Sequence, residues 1–255
     1  MPEAEPSASE SPAHTPSARL LAWLIAGLLC ASSAGAEPAI PRSELPGLGQ
    51  GHQRDPVDAE AMPWRSLGRV QTELGSRCTG TLIAPDQVLT AAHCLVAPRT
   101  GQMVQAGSVH FLLGYAAGHY KAHRRAVSFH LGPGYRAAEK GPATADWAIL
   151  RLDAPLDTAA LPLRPPRRGD AVLLGGYQQD RPELLMADTA CRIGDLGGGN
   201  GPPLLLHDCA GTRGASGAPL LRREGPDSWS IVGIAVAAAR RNAGGIAISS
   251  QAITP

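Results

Sequence analysis

Residues 78–94 read Cys78-Thr79-Gly80-Thr81-Leu82-Ile83-Ala84-Pro85-Asp86-Gln87-Val88-Leu89-Thr90-Ala91-Ala92-His93-Cys94. Two short apolar runs, 80–84 and 87–91, flank Pro85-Asp86, and the second delivers a histidine beside a cysteine. Runs of this length between Gly and Pro punctuation fit strands better than helices. The same pattern recurs outward at 108–113, 147–152, 171–174, 204–206, 219–221 and 229–236. No helical period of useful length is visible, and no repeat of fixed period. The chain is therefore expected to be all-β, built of antiparallel barrels or sandwiches.

His93 is one of three residues in distinctive settings. Ser216 lies in Gly214-Ala215-Ser216-Gly217-Ala218-Pro219, and between the two is Asp146-Trp147-Ala148-Ile149-Leu150. A serine hydroxyl is a poor nucleophile unless a base takes its proton, and the base works best when a carboxylate fixes its tautomer. Asp146 directly precedes an apolar run, where burial is costly unless the carboxylate is hydrogen-bonded. A histidine N–H supplies that bond. Gly214 and Gly217 permit a tight turn that exposes the Ser216 hydroxyl. The N–H groups of Gly214 and Ser216 then form an oxyanion hole. The chain order His, Asp, Ser argues against an esterase of the nucleophile-elbow type, where the serine comes first on a strand–turn–helix.

These motifs resemble the trypsin/chymotrypsin-like serine peptidases, and more closely the bacterial branch that includes the glutamyl endopeptidases. Residues 63–70 (PWRSLGRV) resemble the family's first strand, 78–94 the strand and turn leading to the catalytic histidine, and 232–236 (VGIAV) the strand lining the substrate cleft. The resemblance runs from about Ala61 nearly to the end. It implies two packed antiparallel six-stranded β-barrels, 61–158 and 159–255, with the site in the cleft between them. It also implies a serine endopeptidase with His93 as base, Asp146 as orienter and Ser216 as nucleophile, and no metal or organic cofactor. The pair Cys78 and Cys94 matches the family's disulfide beside the catalytic histidine, which leaves Cys191 and Cys209 as a second pair. A homologue without catalysis, acting as a binding module, is the alternative.

The sequence departs from the family's pattern at several points. Many members carry Asp directly before the serine, paired with a freed N-terminal amine; here the residue is Ala215. Activity is therefore expected not to depend on such a pair. Trypsin-like enzymes carry Asp six residues before the serine, where this chain has Ala210. Glutamyl endopeptidases carry Gly-Ile-His after the serine, where this chain has Gly233-Ile234-Ala235. The expected pocket lining is Ala210, Gly211, Ala235, Val236 and Ala237. Such a pocket is small to medium and apolar, and suits Ala, Val or Leu at the cleavage position, with Arg213 at its rim.

Composition bounds the rest. A net charge of +1 over 255 residues implies neither nucleic acid nor an anionic membrane as partner. The substrate is expected to be protein or peptide, and the enzyme a monomer. Aromatic residues make up 4% of the chain, so the core must rest on Val, Leu, Ile and Ala. Residues 20–30 (LLAWLIAGLLC) follow Arg19 and lead into an A-x-A site at Ala34–Ala36. This reads as a signal peptide spanning 1–36, too short in its apolar run to span a bilayer. The mature chain is then secreted or periplasmic, and its four remaining cysteines are an even number suited to an oxidising compartment. Residues 37–60, rich in Pro, Gly and charge, read as a linker, a pro-segment or an irregular arm. Residues 194–203 (GDLGGGNGPP) read as an exposed glycine-rich loop.

Overall fold

The structure is a computed structural model and describes residues 41, 44–49, 53–197 and 204–255. The expected signal peptide lies outside the described residues, as do 198–203 of the glycine-rich stretch. Among the described residues the chain forms antiparallel strands joined by turns and short 3-10 segments. Strand β1 is Asp55–Pro56. The next six are β2 (Leu67–Thr72), β3 (Arg77–Ala84), β4 (Gln87–Thr90), β5 (Val109–Leu113), β6 (Ala122–Leu131) and β7 (Ala148–Leu152). They close into a barrel in the order β2-β3-β4-β7-β6-β5. Its interior holds Val70, Leu82, Val88, Phe111, Leu113 and Leu150.

The second half supplies β8 (Ala171–Gln178), β9 (Arg181–Gly197), β10 (Leu204–His207), β11 (Pro219–Gly225), β12 (Ser228–Ala238) and β13 (Gly245–Ser249). Neighbours run β9-β10-β13-β12-β11-β8, and the β8–β9 hairpin closes the ring. The short β1 adds to the other edge of β9 at Ala187 and Met186. The two-barrel fold expected from the sequence is thus present, and all eight apolar runs overlap strands. Strands β1, β2, β6, β9 and β13 were not marked by any such run, although the resemblance of residues 63–70 pointed to β2. In β6 only Ala126 is buried, so it is held by its ladders to β5 and β7 and not by an apolar face. The glycine-rich stretch also behaves differently from expectation: Gly194–Gly197 continue β9, because Gly197 pairs with Leu204 of β10.

A third cluster fills the space between the barrels. Trp64, Leu67 and Trp147 from the first half meet Tyr177, Ile231 and Ile234 from the second. The connection between β7 and β8 staples both sides: the Leu161 N–H donates to the Leu82 carbonyl at 2.9 Å, and Arg164 N–H to the Ile231 carbonyl at 2.9 Å. Aliphatic burial at this seam fixes the relative position of the two barrels, and so of the loops at its mouth.

Part of the 37–60 stretch is an arm packed on the second barrel. The Gly47 carbonyl accepts from Gly211 N–H at 3.0 Å. Arg54 is 5% exposed; its guanidinium donates to the Gln178 side chain and pairs with Asp180 at 2.7 Å. The Gln178 oxygen also accepts from Thr212 N–H at 2.9 Å. The arm therefore touches the chain just before Ser216 at two places, Gly211 directly and Thr212 through Gln178.

Candidate active site

His93 lies in the 3-10 turn Ala92–Leu95 directly after β4. The Cys78–Cys94 disulfide ties that turn to β3. Asp146 ends the 3-10 turn Ala143–Ala145, just before β7, and β4 pairs with β7 so that Thr90 faces Ala148. The ladder thus carries both residues to one end of the barrel. Asp146 is 5% exposed. One of its carboxylate oxygens accepts the backbone N–H of His93 at 2.7 Å, and the other meets His93 Nδ1 at 2.7 Å. Two such bonds to an anion offset its loss of water. An ionised carboxylate only accepts, so Nδ1 carries the proton and Nε2 keeps its lone pair. Tyr135 stands near the same carboxylate: burial first, and the Asp146 charge second, push its phenol well above the usual tyrosine range. It stays neutral there.

Ser216 arrives from the second barrel, on the turn between Cys209 and β11. Gly214 has φ +93, and a Cβ on it would fall 2.2 Å from the Tyr177 carbonyl oxygen. A Cβ on Gly217 would fall 2.4 Å from the Thr79 carbonyl oxygen and 2.8 Å from Ala91 N. Only glycine lets this turn sit so close to the strands that lead to His93. Thr79 of β3 then fastens it. Its N–H donates to the Ser216 carbonyl at 2.9 Å. Its hydroxyl donates to the Gly214 carbonyl at 2.9 Å and accepts from Tyr177 N–H at 3.0 Å. Thr90 secures Thr79 from behind, with a hydroxyl-to-carbonyl bond of 2.8 Å. Sequence reasoning did not find Thr79, because a threonine in a strand carries no signal of cross-barrel bonding.

The backbone of this turn is satisfied selectively. Ala215 N–H donates to Thr212, Gly217 N–H to Ala235 and Ala218 N–H to Ala215. Among the described residues, the N–H groups of Gly214 and Ser216 make no hydrogen bond. Residues 78–234, the span holding His93, Asp146 and Ser216, match the trypsin-like peptidase domain. The chain belongs to the trypsin-like peptidase family. Among solved structures it is similar to one described as the structure of Glu endopeptidase in complex with MPD. That likeness has a TM-score of 0.68 at 19% identity, and covers 80% of this chain and 93% of the other. At this identity it speaks for the shared two-barrel fold.

In this trypsin-like peptidase a cavity of about 270 Å³ opens beside Ser216. Gly211, Ala235, Val236 and Ala237 line it, together with Ala238 and Arg213. Ala210 does not. It is buried, with its N–H donating to the Asp188 carboxylate at 2.8 Å, because the chain after Cys209 turns toward β9 before it reaches the cavity. The Cys191–Cys209 disulfide anchors that turn. Four lining residues lay outside the sequence reading: Thr212 shortly before Ser216, Pro46 from the arm, Leu174 from β8 and His207 from the end of β10. Pro46 and Leu174 stand far from Ser216 in the chain, and the strand order brings them in. No helix among the described residues is long and apolar enough to cross a membrane.

Proposed function

We propose that this protein is an exported serine endopeptidase that cleaves peptide bonds through an acyl-enzyme, with His93, Asp146 and Ser216 as its triad. The observation that carries the reading is the double hold of Asp146 on His93. It leaves Nε2 with the lone pair needed to take a proton from the Ser216 hydroxyl. Ser216 attacks the scissile carbonyl, and the unbonded N–H groups of Gly214 and Ser216 receive the oxyanion of the tetrahedral intermediate. His93 returns the proton to the leaving amine. Water, deprotonated in turn by His93, hydrolyses the acyl-enzyme. The cavity beside Ser216 takes the side chain on the acyl side of the cleaved bond.

Two features support export. The segment 1–36 has the pattern of a signal peptide, and both cysteine pairs form disulfides, which persist in oxidising compartments. Ala215 supports activity without a freed N-terminal amine. It is 4% exposed, and its N–H is bonded to Thr212, so an apolar contact and a turn bond stand where relatives use a charge pair.

The test is hydrolysis of a denatured protein substrate by the mature chain. Activity that disappears in Ser216→Ala, with circular dichroism unchanged, is the expected result. Hydrolysis surviving in that variant, or absent from the folded wild type, refutes the reading.

A further inference from the structure

The cavity beside Ser216 is lined largely by small apolar residues, which alone favour Ala, Val or Leu. Beside Ser216 itself, Thr212 and Arg213, the polar side chain on its lining is that of His207. His207 is 8% exposed, and among the described residues neither of its ring nitrogens has a hydrogen-bond partner. Buried polar atoms are almost always paired, and an unpaired one calls for a missing partner. Its carboxylate neighbours are engaged elsewhere: Asp188 accepts from Ala210 N–H, and Asp208 from Arg192 N–H. The backbone makes room for the ring. His207 pairs with Gly245 of β13, where a Cβ would stand 3.2 Å from Nε2.

We propose that His207 reads the substrate side chain on the acyl side of the cleaved bond, and that the side chain it selects is glutamine. This rests on the peptidase reading above. The choice of group follows from the donor and acceptor count. A neutral imidazole has one N–H and one lone pair, and a primary carboxamide, which both donates and accepts, can bond whichever of the two is turned to it. A carboxylate can only accept, so it cannot use the ring's lone pair, and its charge loses far more hydration on entering a buried pocket. An aliphatic end leaves both nitrogens unpaired. The ring is neutral near pH 7, because burial holds its pKa down at about 4 against the opposing pull of Asp208 and Asp188. Length favours glutamine over asparagine. Ala235 bonds the Ser216 turn, while Ala238, three residues on, pairs with Gly245 opposite His207. That is roughly 10 Å along β12. Both ring nitrogens are buried, so the amide meets one of them after rotation about χ2, a broad torsion in histidine.

The experiment uses fluorogenic peptides that differ only at this position, with Gln, Glu, Asn, Leu or Ala. Enzyme concentration is set by fluorophosphonate titration of Ser216. The wild type is expected to show kcat/KM at least roughly 100-fold higher for Gln than for Leu, since a site built for hydrogen bonds rejects analogues lacking them. In His207→Leu the Gln-to-Leu ratio falls to about one or inverts. His207→Gln serves as a second variant should the first not fold, and the wild-type profile is decisive alone. A wild type that labels at Ser216 yet prefers Leu, Ala or Glu overturns the proposal, as does a Gln preference retained without His207. A wild type that is not labelled at all overturns the peptidase reading beneath it.

Discussion

On the first barrel, His93 and Asp146 hold one another through two bonds of 2.7 Å across a single β4–β7 ladder. On the second, Ser216 sits on a turn fastened from across the cleft by Thr79, and its cavity draws on β8, β10, β12 and the arm before β2. One half of the site is local to a strand pair. The other is assembled from distant segments. The first half should therefore fail at single residues that touch the chemistry, and the second at residues that support it from far away.

The largest expected effect falls on the local half. Asp146→Asn keeps the shape but lets the amide donate, which favours the wrong imidazole tautomer. Turnover should drop by roughly 10⁴ with substrate affinity little changed. Steady-state kinetics checks this, and a loss below tenfold would mean that another group orients His93.

Arg54→Ala probes the assembled half. It removes a buried guanidinium from Gln178 and Asp180, and breaking a buried pair costs roughly 3–5 kcal/mol. Urea unfolding should show it, together with a raised KM, because Gln178 holds Thr212. Unchanged stability and KM would show that the arm is a passive strap.

His207 gives a pH-dependent signature. Its folded-state pKa lies below the unfolded value of 6.5, so the unfolded chain binds a proton first as pH falls. The resulting stability is complete above pH 6.5 and lost between there and about pH 4. Over that window wild type should lose roughly 3 kcal/mol more than His207→Asn. Parallel unfolding curves for the two proteins across this range would contradict a buried neutral ring.

Thr79→Val should be the mildest. It strips the partner from Gly214 C=O and Tyr177 N–H at constant volume, for about 1–3 kcal/mol of stability. Turnover should fall as well, and Thr79→Ser, which keeps the hydroxyl, should recover most of it. A valine variant of full activity would remove Thr79 from the account of how the turn is held.

The same division explains what was legible beforehand. Gly214, Ser216 and Gly217 announce a tight turn because each residue type is needed where it stands. His93 beside Cys94, and Asp146 before a buried strand, are likewise local signals. The eight apolar runs marked eight strands. Strand β6 escaped because it buries only Ala126, and β9 because pairing with β10 carries it through glycines that read as a loop. The cavity was half legible: Ala235, Val236 and Ala237 follow from their place on one strand. Ala210 was misplaced by counting along the chain, and Leu174 and Pro46 were invisible because only the ring of strands brings them beside Ser216.

The central claim is that Ser216 is an activated nucleophile in an assembled site. Fluorophosphonate labelling of the purified mature protein, with the modified peptide located by mass spectrometry, tests it most directly. The account predicts one label per chain, on Ser216, lost in His93→Ala. Folded protein that takes no label, or that is labelled equally well without His93, would contradict it.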